Sequence, residues 1–518
     1  MKHWLKNAVF YEIYPQSFMD SNGDGIGDFA GIISKLDYIK ELGFTAIWMN
    51  PCFDSPFGDA GYDVRDYYKV AERYGTNDDL QRLFDEAHRR DMRVILDLVP
   101  GHTSVECAWF KESMKADPNE YSHRYVWTNS IWEDLDGVHG IRGVLRGISD
   151  RNGCCGVNYY SCQPALNYGF AEITAPWQHT VDSEAALATR AEILNIIRFW
   201  LDLGCDGFRV DMAGSLVKND KGQEQTILLW KELLETVNKE YPEAAFISEW
   251  GNPERALRGG YDMDFLLSFG PSHYNDLYHC ATAYFSPDGV GNAAEFFDYY
   301  TQTLSKTKAG GGLICLPSGN HDIPRLSYYC DPTQIKLVYA FMMSMPGVPF
   351  IYNGDEIGMR YLPDIRSVEG GYERTGTRTP MQWDNTKNFG FSTADPSMLY
   401  IQQDHGAGAP TVAEQLSDKA SILSELKRLI AVRKSQEVLQ ACGAFTLLSS
   451  EYPLVYLRTL GEQTVLVAIN PTNTARCVCV ENLEITDTLY SFQGTASLSQ
   501  GRLSVPPLCA SFLRVNKV

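Results

Sequence analysis

The chain has 518 residues, of which 44% are hydrophobic and 12% aromatic, and its 65 acidic and 45 basic residues give a formal charge of -20. A chain of this length and composition can bury a large core, and we expect it to divide into two or three units. The negative charge disfavours nucleic acid and anionic membrane surfaces as partners, because both require clustered Lys and Arg side chains. A neutral small-molecule substrate fits this composition better.

The first residues run directly into a predicted strand and lack the basic, apolar and small-residue order of a signal peptide. No stretch approaches the roughly 18 consecutive apolar residues of a membrane span. The 13 cysteines are scattered without paired CxxC spacing, which favours reduced thiols over disulfides or a zinc site. We therefore expect a cytoplasmic protein without a membrane partner, and the sequence leaves its oligomeric state open.

Apolar runs of strand length recur through the first 355 residues, and helical patterns separate most of them. Between the first two runs, apolar residues from Ile32 to Leu42 recur at helical spacing, and Gly43 follows in the position of a C-terminal cap. Further helices are predicted over 78–90 and 184–203. Alternating strands and helices predict an α/β fold, a parallel (β/α)8 TIM barrel. The eight runs are 8–14, 44–50, 93–99, 207–211, 245–249, 264–269, 312–317 and 348–353.

The alternation of strand and helix is interrupted after the third strand. Residues 103–174 are rich in Gly, Asn, Tyr, Trp and Cys without a long helical period, which predicts an irregular inserted domain beside the barrel mouth. A helix over 420–435 ends the barrel section, and the short alternating runs that follow predict an all-β sandwich. The barrel is predicted to comprise residues 1–102 and 175–436. The inserted domain comprises residues 103–174, and the C-terminal sandwich comprises residues 437–518.

Three carboxylates, Asp211, Glu249 and Asp322, follow the fourth, fifth and seventh predicted strands. Because the C-terminal ends of barrel strands meet at one mouth, we expect these groups to converge. Two carboxylates suffice for glycoside hydrolysis, one as nucleophile and one as acid and base, and a third can stabilise the oxocarbenium-like state. We expect Arg209 to keep Asp211 ionised, whereas the apolar neighbours of Glu249 favour its protonated form.

Two histidines, His102 and His321, also follow barrel strands, the third and the seventh. Neutral imidazoles at these places can donate hydrogen bonds to sugar hydroxyls. A single histidine is more often structural, and a single Asp after a strand is more often a helix cap. Several such residues on successive barrel strands favour a functional site.

Four segments in this order closely resemble the alpha-amylase family, glycoside hydrolase family 13, and the resemblance extends over essentially the whole chain. They are DLVPGH at 97–102, GFRVD at 207–211, ISEW at 247–250 and NHD at 320–322. The resemblance implies that Asp211 is the nucleophile, Glu249 the acid and base, and Asp322 the stabiliser of the transition state.

Further segments resemble the oligo-1,6-glucosidase and alpha-glucosidase branch of that family, namely QPALN at 163–167, GVPFIYNGDEIGM at 347–359 and RTPMQWD at 378–384. In that branch the residues matching Asp59 and Arg378 hold the 4-hydroxyl of the terminal glucose, and the ring matching Tyr62 stacks beneath it. Gln163 opens the first of these segments and is a further expected sugar-binding residue. The resemblance implies a retaining, exo-acting alpha-glucosidase that removes glucose from the non-reducing end of short alpha-linked oligosaccharides.

The segment DSNGDGIGD at 20–28 has oxygen-bearing residues at the spacing of an EF-hand calcium loop, without the glutamate of position 12. It matches the structural calcium site of the same branch, whose ligands are here Asp20, Asn22, Asp24, Ile26 and Asp28. The resemblance therefore implies a stabilising Ca²⁺ as the cofactor, distant from the chemistry. An Asx-rich turn without metal is the alternative.

Several features leave the exact reaction open. Ala165 stands where the branch usually has Asp, and Met212 follows the nucleophile, so the linkage preference is undetermined. A glucosyl transferase or isomerase, such as a trehalose synthase or a sucrose-acting enzyme, shares the same covalent intermediate. However, the segment IPRLSYY after Asp322 lacks the arginine-rich stretch of sucrose isomerases. A non-catalytic binding platform tolerates loss of the carboxylates, yet all three are present.

Overall fold

The computed structural model describes residues 2–133, 140–268, 270–370 and 372–517. Eight parallel strands close into a barrel in which each strand pairs with the next in sequence and the last pairs with the first. The strands are Phe10–Ile13 (β1), Ala46–Met49 (β2), Arg93–Leu98 (β3), Gly207–Val210 (β4), Ala245–Ser248 (β5), Met263–Phe265 (β6), Leu313–Pro317 (β7) and Val348–Tyr352 (β8). Each lies within or overlaps a predicted run, and the predicted TIM barrel is confirmed. Phe269, the end of the sixth run, lies outside the described residues.

Helices connect the barrel strands and begin at residues that cap them. Ser183 accepts a hydrogen bond from the backbone of Ala186 at one N-terminus, and Thr76 forms a capping box with Asp79 at another. The α-helices are Phe29–Ser34, Leu36–Leu42, Asn77–His88, Ala108–Ser113, Glu184–Asp202, Glu224–Glu240, Pro253–Arg258, Asn275–Tyr278, Ala294–Ala309, Pro332–Ser344, Val412–Ser417 and Ile422–Ser435. The first predicted helix is thus two helices that meet at Lys35, and Gly43 ends the second with a φ of 103°.

The chain also contains short 3-10 helices, most of them in the loops that join longer elements. These are His3–Asn7, Pro15–Ser17, Glu72–Tyr74, Ala213–Ser215, Leu326–Tyr328, Asp355–Ile357, Tyr372–Thr377, Lys387–Gly390, Pro396–Met398 and Glu437–Leu439. The helix Ala213–Ser215 directly follows β4, and Tyr372–Thr377 lies in the long loop after β8. Both therefore belong to the end of the barrel at which the predicted functional residues cluster.

The barrel interior is filled by large side chains from several strands. The rings of Phe10 and Phe350 stack at 4.3 Å, and Phe265 packs against Phe350 and against Trp48. All residues of β1, β2, β4, β5, β6, β7 and β8 are buried, as expected for parallel strands that are covered on both faces. This packed core fixes the strand ends that carry the site.

The described part of the inserted region, between β3 and the helix Glu184–Asp202, is mostly irregular. It contains the helix Ala108–Ser113 and a hairpin of Gly143–Leu145 with Cys155–Val157. A bridge between His102 and Ala165 ties it to the barrel mouth. A second small hairpin, Phe53–Asp54 with Asp66–Val70, lies in the loop after β2. Residues 134–139 of the predicted inserted domain lie outside the described residues.

The C-terminal region consists of two antiparallel sheets that face each other. The five-stranded sheet has the order Ala444–Ser449, Leu454–Leu460, Gln463–Asn470, Cys509–Lys517 and Leu483–Phe492, and the three-stranded sheet has the order Arg476–Cys479, Arg502–Val505 and Ser497–Ser499. One apolar cluster combines Leu466 and Leu513 of the first sheet with Leu503 and Val505 of the second. This is the predicted β-sandwich.

The described residues contain no helix that is long and apolar enough to cross a membrane. All 13 cysteines lie in the described ranges, and each is unpaired. Eight of them are buried, in agreement with the prediction of reduced thiols that fill core positions.

Candidate active site

A cavity of about 610 Å³ lies at the C-terminal ends of the barrel strands, within the size range of small-molecule sites. Seven of the ten predicted catalytic and sugar-binding residues line it: Asp59, Tyr62, His102, Gln163, Asp211, Glu249 and Asp322. The other three, Arg209, His321 and Arg378, are buried beside it and contact its lining residues. The three predicted catalytic carboxylates therefore share one cavity.

Arg209 links the two carboxylates predicted to react. Its guanidinium lies 3.0 Å from Asp211, 2.9 Å from Glu249 and 2.8 Å from Asp97. The side chain is almost completely buried, and the ring of Trp48 lies 5.2 Å from it. One buried cation thus holds three carboxylates around the ends of β3, β4 and β5.

Burial raises the pKa of Asp211 to about 7 and that of Glu249 to about 7, and Arg209 opposes the rise in both cases. The raised pKa of Glu249 agrees with the expected protonated acid. Arg209 lowers the pKa of Asp211, which is the expected direction, but burial has the larger effect. The physical reason is that the guanidinium is shared among three carboxylates, so its field does not outweigh desolvation at Asp211.

The backbone after β4 positions the carboxylate of Glu249. Met212 has a left-handed conformation with a φ of 43°, and its N–H donates to Glu249 Oε2 at 3.1 Å. The next residue, Ala213, donates its N–H to the backbone oxygen of Glu249 at 3.2 Å. A non-glycine residue with this φ stores backbone strain, which is common beside functional groups.

Asp322 lies between two arginines and a histidine. Arg374 and Arg378 donate to its Oδ1 at 2.7 and 2.9 Å, and His321 Nε2 lies 3.3 Å from its Oδ2. Burial disfavours its charge, but His321, Arg374 and Arg378 together hold the pKa of Asp322 well below its usual range. Asp322 is therefore ionised and available to stabilise positive charge.

Arg374, which the sequence reasoning missed, forms an ion pair with Asp59. Its Nη2 lies 3.0 Å from Asp59 and 3.1 Å from the hydroxyl of Tyr160, while its Nη1 reaches Asp322. Gln163 donates to the other oxygen of Asp59 at 2.7 Å. Together these contacts form a continuous polar wall of the cavity.

Arg378 is buried beneath that wall. Its Nε donates to the backbone oxygen of His321 at 2.8 Å, and its guanidinium lies 5.3 Å from the ring of Tyr14. These contacts hold Arg378 behind Asp322, whereas Arg374 extends from the short helix Tyr372–Thr377 into the cavity. Asp59 and Arg378, the two residues expected to hold the 4-hydroxyl of the terminal glucose, are thus linked through Arg374 and Asp322.

Both predicted histidines have neutral imidazoles. Burial lowers the pKa of His102 to about 4 and that of His321 to about 3. His102 lines the cavity, and its Nε2 lies 3.0 Å from the backbone oxygen of Tyr62. His321 bonds Glu12 through Nδ1 at 2.9 Å and the hydroxyl of Tyr62 through Nε2 at 2.7 Å. His321 thus orients neighbouring groups from behind the cavity.

The ring of Tyr62 is held as an aromatic surface of the cavity. It stacks on His321 with ring centroids 5.4 Å apart and an interplanar angle of 13°. Its hydroxyl lies 3.2 Å from Asp97, which anchors the far end of the ring. An immobilised ring of this kind suits contact with the apolar face of a sugar.

Other residues that the sequence analysis did not assign to the site also line the cavity. They are Arg142, Tyr159, Tyr160, Met212, Gly214, Ser215, Gln223, Trp250, Leu267, Ile323 and Arg374. Met212, Trp250 and Ile323 each directly follow one of the three predicted catalytic carboxylates, so the sequence already places them near the mouth. The remaining residues belong to segments that the fold brings to the mouth.

The loop at 20–28 folds as a series of Asx turns. Asp20 accepts hydrogen bonds from the backbone of Asn22, Gly23 and Gly25, and Asp24 accepts from Ile26. Gly23 and Gly25 allow these turns because their φ angles are 81° and 94°.

The oxygen donors of this loop fit a hard cation such as Ca²⁺ in part. Asp20, Asn22 and Asp24 offer side-chain oxygens on one short loop. Both Asp20 and Asp28 already accept hydrogen bonds on their two carboxylate oxygens, Asp20 from Asn22, Gly23, Gly25 and Ser392 and Asp28 from Ser21 and Gly31.

Comparison with known proteins gives consistent matches. The family described as alpha amylase, catalytic domain, matches residues 12–139 and 175–442. A glucan 1,6-alpha-glucosidase of Streptococcus pneumoniae is 31% identical, with 92% of this chain and 93% of that protein covered. The trehalose synthase/amylase TreS of Mycolicibacterium smegmatis is 32% identical, with 93% and 84% covered. The structure of the trehalulose synthase MutB from Pseudomonas mesoacidophila MX-45 is 27% identical, covers 99% of both chains and has a TM-score of 0.81.

Proposed function

The chain belongs to the alpha-amylase family of glycoside hydrolases, and we propose that within this family it is a retaining, exo-acting alpha-glucosidase. Its substrate is the terminal, non-reducing glucose of a short alpha-linked oligosaccharide. The observation that carries the proposal is the wall formed by Asp59, Arg374 and Asp322 beside the pair Asp211 and Glu249.

The chemistry follows from the charges of the carboxylates. Ionised Asp211 attacks the anomeric carbon while protonated Glu249 transfers its proton to the glycosidic oxygen, so the shortened sugar leaves and a glucosyl ester forms on Asp211. Glu249, now ionised, removes a proton from water, which attacks the same carbon and releases Asp211. Asp322 stabilises the positive charge of the oxocarbenium-like state in both steps.

The wall of the cavity supports action at a chain end. Asp59, Gln163 and Arg374 present charged and amide groups that can bond the outer hydroxyls of one glucose, and Tyr62 supplies a ring beneath it. A glucose with a further sugar on its 4-hydroxyl collides with the bridge between Asp59 and Arg374. Only the terminal unit then reaches Asp211.

The proposal is tested by using NMR to follow the turnover of five sugars: maltose, isomaltose, sucrose, trehalose and maltotriose. We expect free glucose that appears first as the alpha anomer, because two successive displacements at the anomeric carbon retain its configuration. Asp211→Ala should abolish turnover. Release of beta-glucose, or full activity of the variant, overturns the mechanism.

Glucosyl transfer is the second candidate function, because a trehalose synthase is among the relatives and trehalulose synthase MutB has also been solved with isomaltulose. Both reactions pass through the same glucosyl ester, which either water or a sugar hydroxyl can attack. A new disaccharide without free glucose from maltose or sucrose supports transfer and contradicts hydrolysis.

We also propose that the loop at 20–28 binds a structural Ca²⁺ through Asp20, Asn22, Asp24, the carbonyl of Ile26 and Asp28. The oxygen donors and the glycine-dependent turns of this loop support the proposal. The ion would stabilise the loop between β1 and the helix Phe29–Ser34, with no part in the chemistry.

A further inference from the structure

We propose that Trp250 is the platform of a second subsite, which binds the sugar ring on the leaving side of the cleaved bond. This inference rests on the proposed glucosidase function and adds to it the chemical class of the leaving group. The group is a neutral pyranose, recognised by its apolar face. Gln223 is the positioning residue that holds the platform.

The position of Trp250 follows from the role of Glu249. The acid must touch the glycosidic oxygen, and the leaving sugar is bonded to that same oxygen, so its ring must lie next to Glu249. Trp250 is the following residue, and its side chain lines the same cavity. The polar wall of Asp59 and Arg374 surrounds the other sugar, so the two subsites have different chemistry.

The indole of Trp250 is fixed in orientation. Its Nε1 donates to Gln223 Oε1 at 2.8 Å, and Arg255 donates to the same oxygen at 2.8 Å. The ring also meets Tyr261 edge-on, with centroids 6.4 Å apart and planes at 87°. Because the N–H is already bonded, Trp250 offers a ligand its ring face, the surface on which the C–H groups of a pyranose pack.

The residues around Trp250 adopt conformations that a purely structural contact does not require. Gln223 has a φ of 64°, and its Nε2 donates to the backbone oxygen of Gly214 at 2.6 Å. A Cβ atom at Gly214 would lie 2.5 Å from Trp250 Nε1 and 2.7 Å from Gln223 Nε2. A strained residue and an obligatory glycine thus hold one partly exposed ring in place, which reduces the entropy lost when a ligand binds.

Part of the remaining cavity lining suits an uncharged, partly apolar ligand. Leu267 and Ile323 contribute aliphatic surface to the same cavity, and Ser215 contributes a hydroxyl. A pyranose matches this combination, because it has C–H groups on its faces and hydroxyls at its edge.

The test compares a substrate that has a leaving sugar with one that lacks it. For each enzyme, kcat/KM is measured for maltose and for α-glucosyl fluoride, and the ratio of the two values is the readout. We expect Trp250→Ala to lower this ratio roughly tenfold, and Trp250→Phe to restore part of it. Gln223→Ala should lower the ratio less, mainly by raising KM for maltose.

Trp132→Ala is the matched control, because Trp132 is 84% exposed outside the cavity. It should leave the ratio unchanged. The proposed role of Trp250 is contradicted if the ratio is unchanged in both Trp250 variants, because kcat/KM is then unaffected or falls equally for both substrates. If the wild-type enzyme hydrolyses neither substrate, the glucosidase function itself fails, and the two failures are distinguishable.

Discussion

Arg209 gives the two reacting carboxylates a common counter-ion. Its guanidinium contacts both Asp211 and Glu249, so a change of charge on one carboxylate alters the field at the other. Burial raises the pKa of both groups to about 7, which places the exchange of one proton near neutral pH. In the proposed mechanism, the reactive state carries this proton on Glu249 and the negative charge on Asp211.

We expect kcat/KM for maltose to follow a bell-shaped pH profile. Protonation of Asp211 lowers activity on the acidic side, and loss of the proton from Glu249 lowers it as the pH rises above about 7. Glu249→Gln should reduce kcat/KM roughly 100- to 10,000-fold. With α-glucosyl fluoride, whose leaving fluoride needs no proton, the variant should keep the acidic limb and lose the alkaline one. A persistent alkaline limb contradicts the role of Glu249 as acid.

Arg374→Ala removes hydrogen bonds to Asp59 and Asp322. Since a hydrogen bond to a charged group contributes about 1.5–3 kcal/mol, kcat/KM for maltose should fall roughly 10- to 100-fold. The Tm should change little, because Arg374 is partly exposed, whereas buried Arg378→Ala should lower both activity and Tm. Arg366→Ala, an exposed arginine on the same loop, is the control. Full activity of Arg374→Ala contradicts the proposed wall.

At the scale of elements, the barrel strands were predictable and the loops were not. A run such as 207–211 is apolar because both faces of its strand are buried, and its acidic end marks the mouth. Arg374 and Arg378 lie on one loop after β8, and no local pattern tells which of them reaches Asp59. That choice depends on the packing of Tyr14 and His321 around Arg378.

The loop at 20–28 is an element whose stability we expect to depend on calcium. Adding Ca²⁺ at about 100 times its Kd should stabilise the protein by about 2.7 kcal/mol, and a chelator should reverse the effect. Calorimetric measurement of Tm with and without the ion tests this. Asp24→Asn should reduce the shift without altering kcat, because Asp24 lies outside the cavity. A Tm that calcium does not change supports an Asx-rich turn without metal.

At the scale of the whole molecule, two buried arginines lie where the sandwich meets the barrel, and one of them, Arg458, joins the two domains. Arg433 donates to the backbone oxygens of Met343, Met345 and Gly347, at the end of the helix Pro332–Ser344. Arg458, from the first sheet of the sandwich, donates to the backbone oxygens of Ser344, Leu439, Gln440 and Gly443. Burial lowers the pKa of Arg433 to about 9 and that of Arg458 to about 10. Backbone carbonyls at a helix end and in the connecting segment stabilise both guanidinium groups, in the place that carboxylates take in an ion pair.

Arg458→Met should destabilise the protein by about 2–4 kcal/mol, because several buried carbonyls lose their donor. Differential scanning calorimetry should show a lower Tm, while the KM of the remaining folded enzyme stays unchanged. Arg82→Met is the matched control, since its side chain is 54% exposed and pairs with the half-buried Asp79 on a helix of the barrel. This control substitution should lower the free energy of unfolding by less than about 1 kcal/mol. A wild-type Tm for Arg458→Met contradicts the role of this arginine in joining the domains.

The fold and the position of the three catalytic candidates could be predicted because strand ends carry them in a fixed geometry. The ionisation of Asp211 could not, since it depends on Arg209 being shared with Asp97 and Glu249. Trp250 and Gln223 are 27 residues apart, and their contact exists only in three dimensions.

The bridge of Arg374 between Asp59 and Asp322 also fixes an order of events. In the proposed hydrolysis, this bridge lies beyond the terminal glucose, so we expect the shortened sugar to leave before water attacks and the glucose to leave last. We therefore expect each cut to require a separate binding event, without processive movement along a polymer. Accumulated glucose should compete with incoming chains for the cavity.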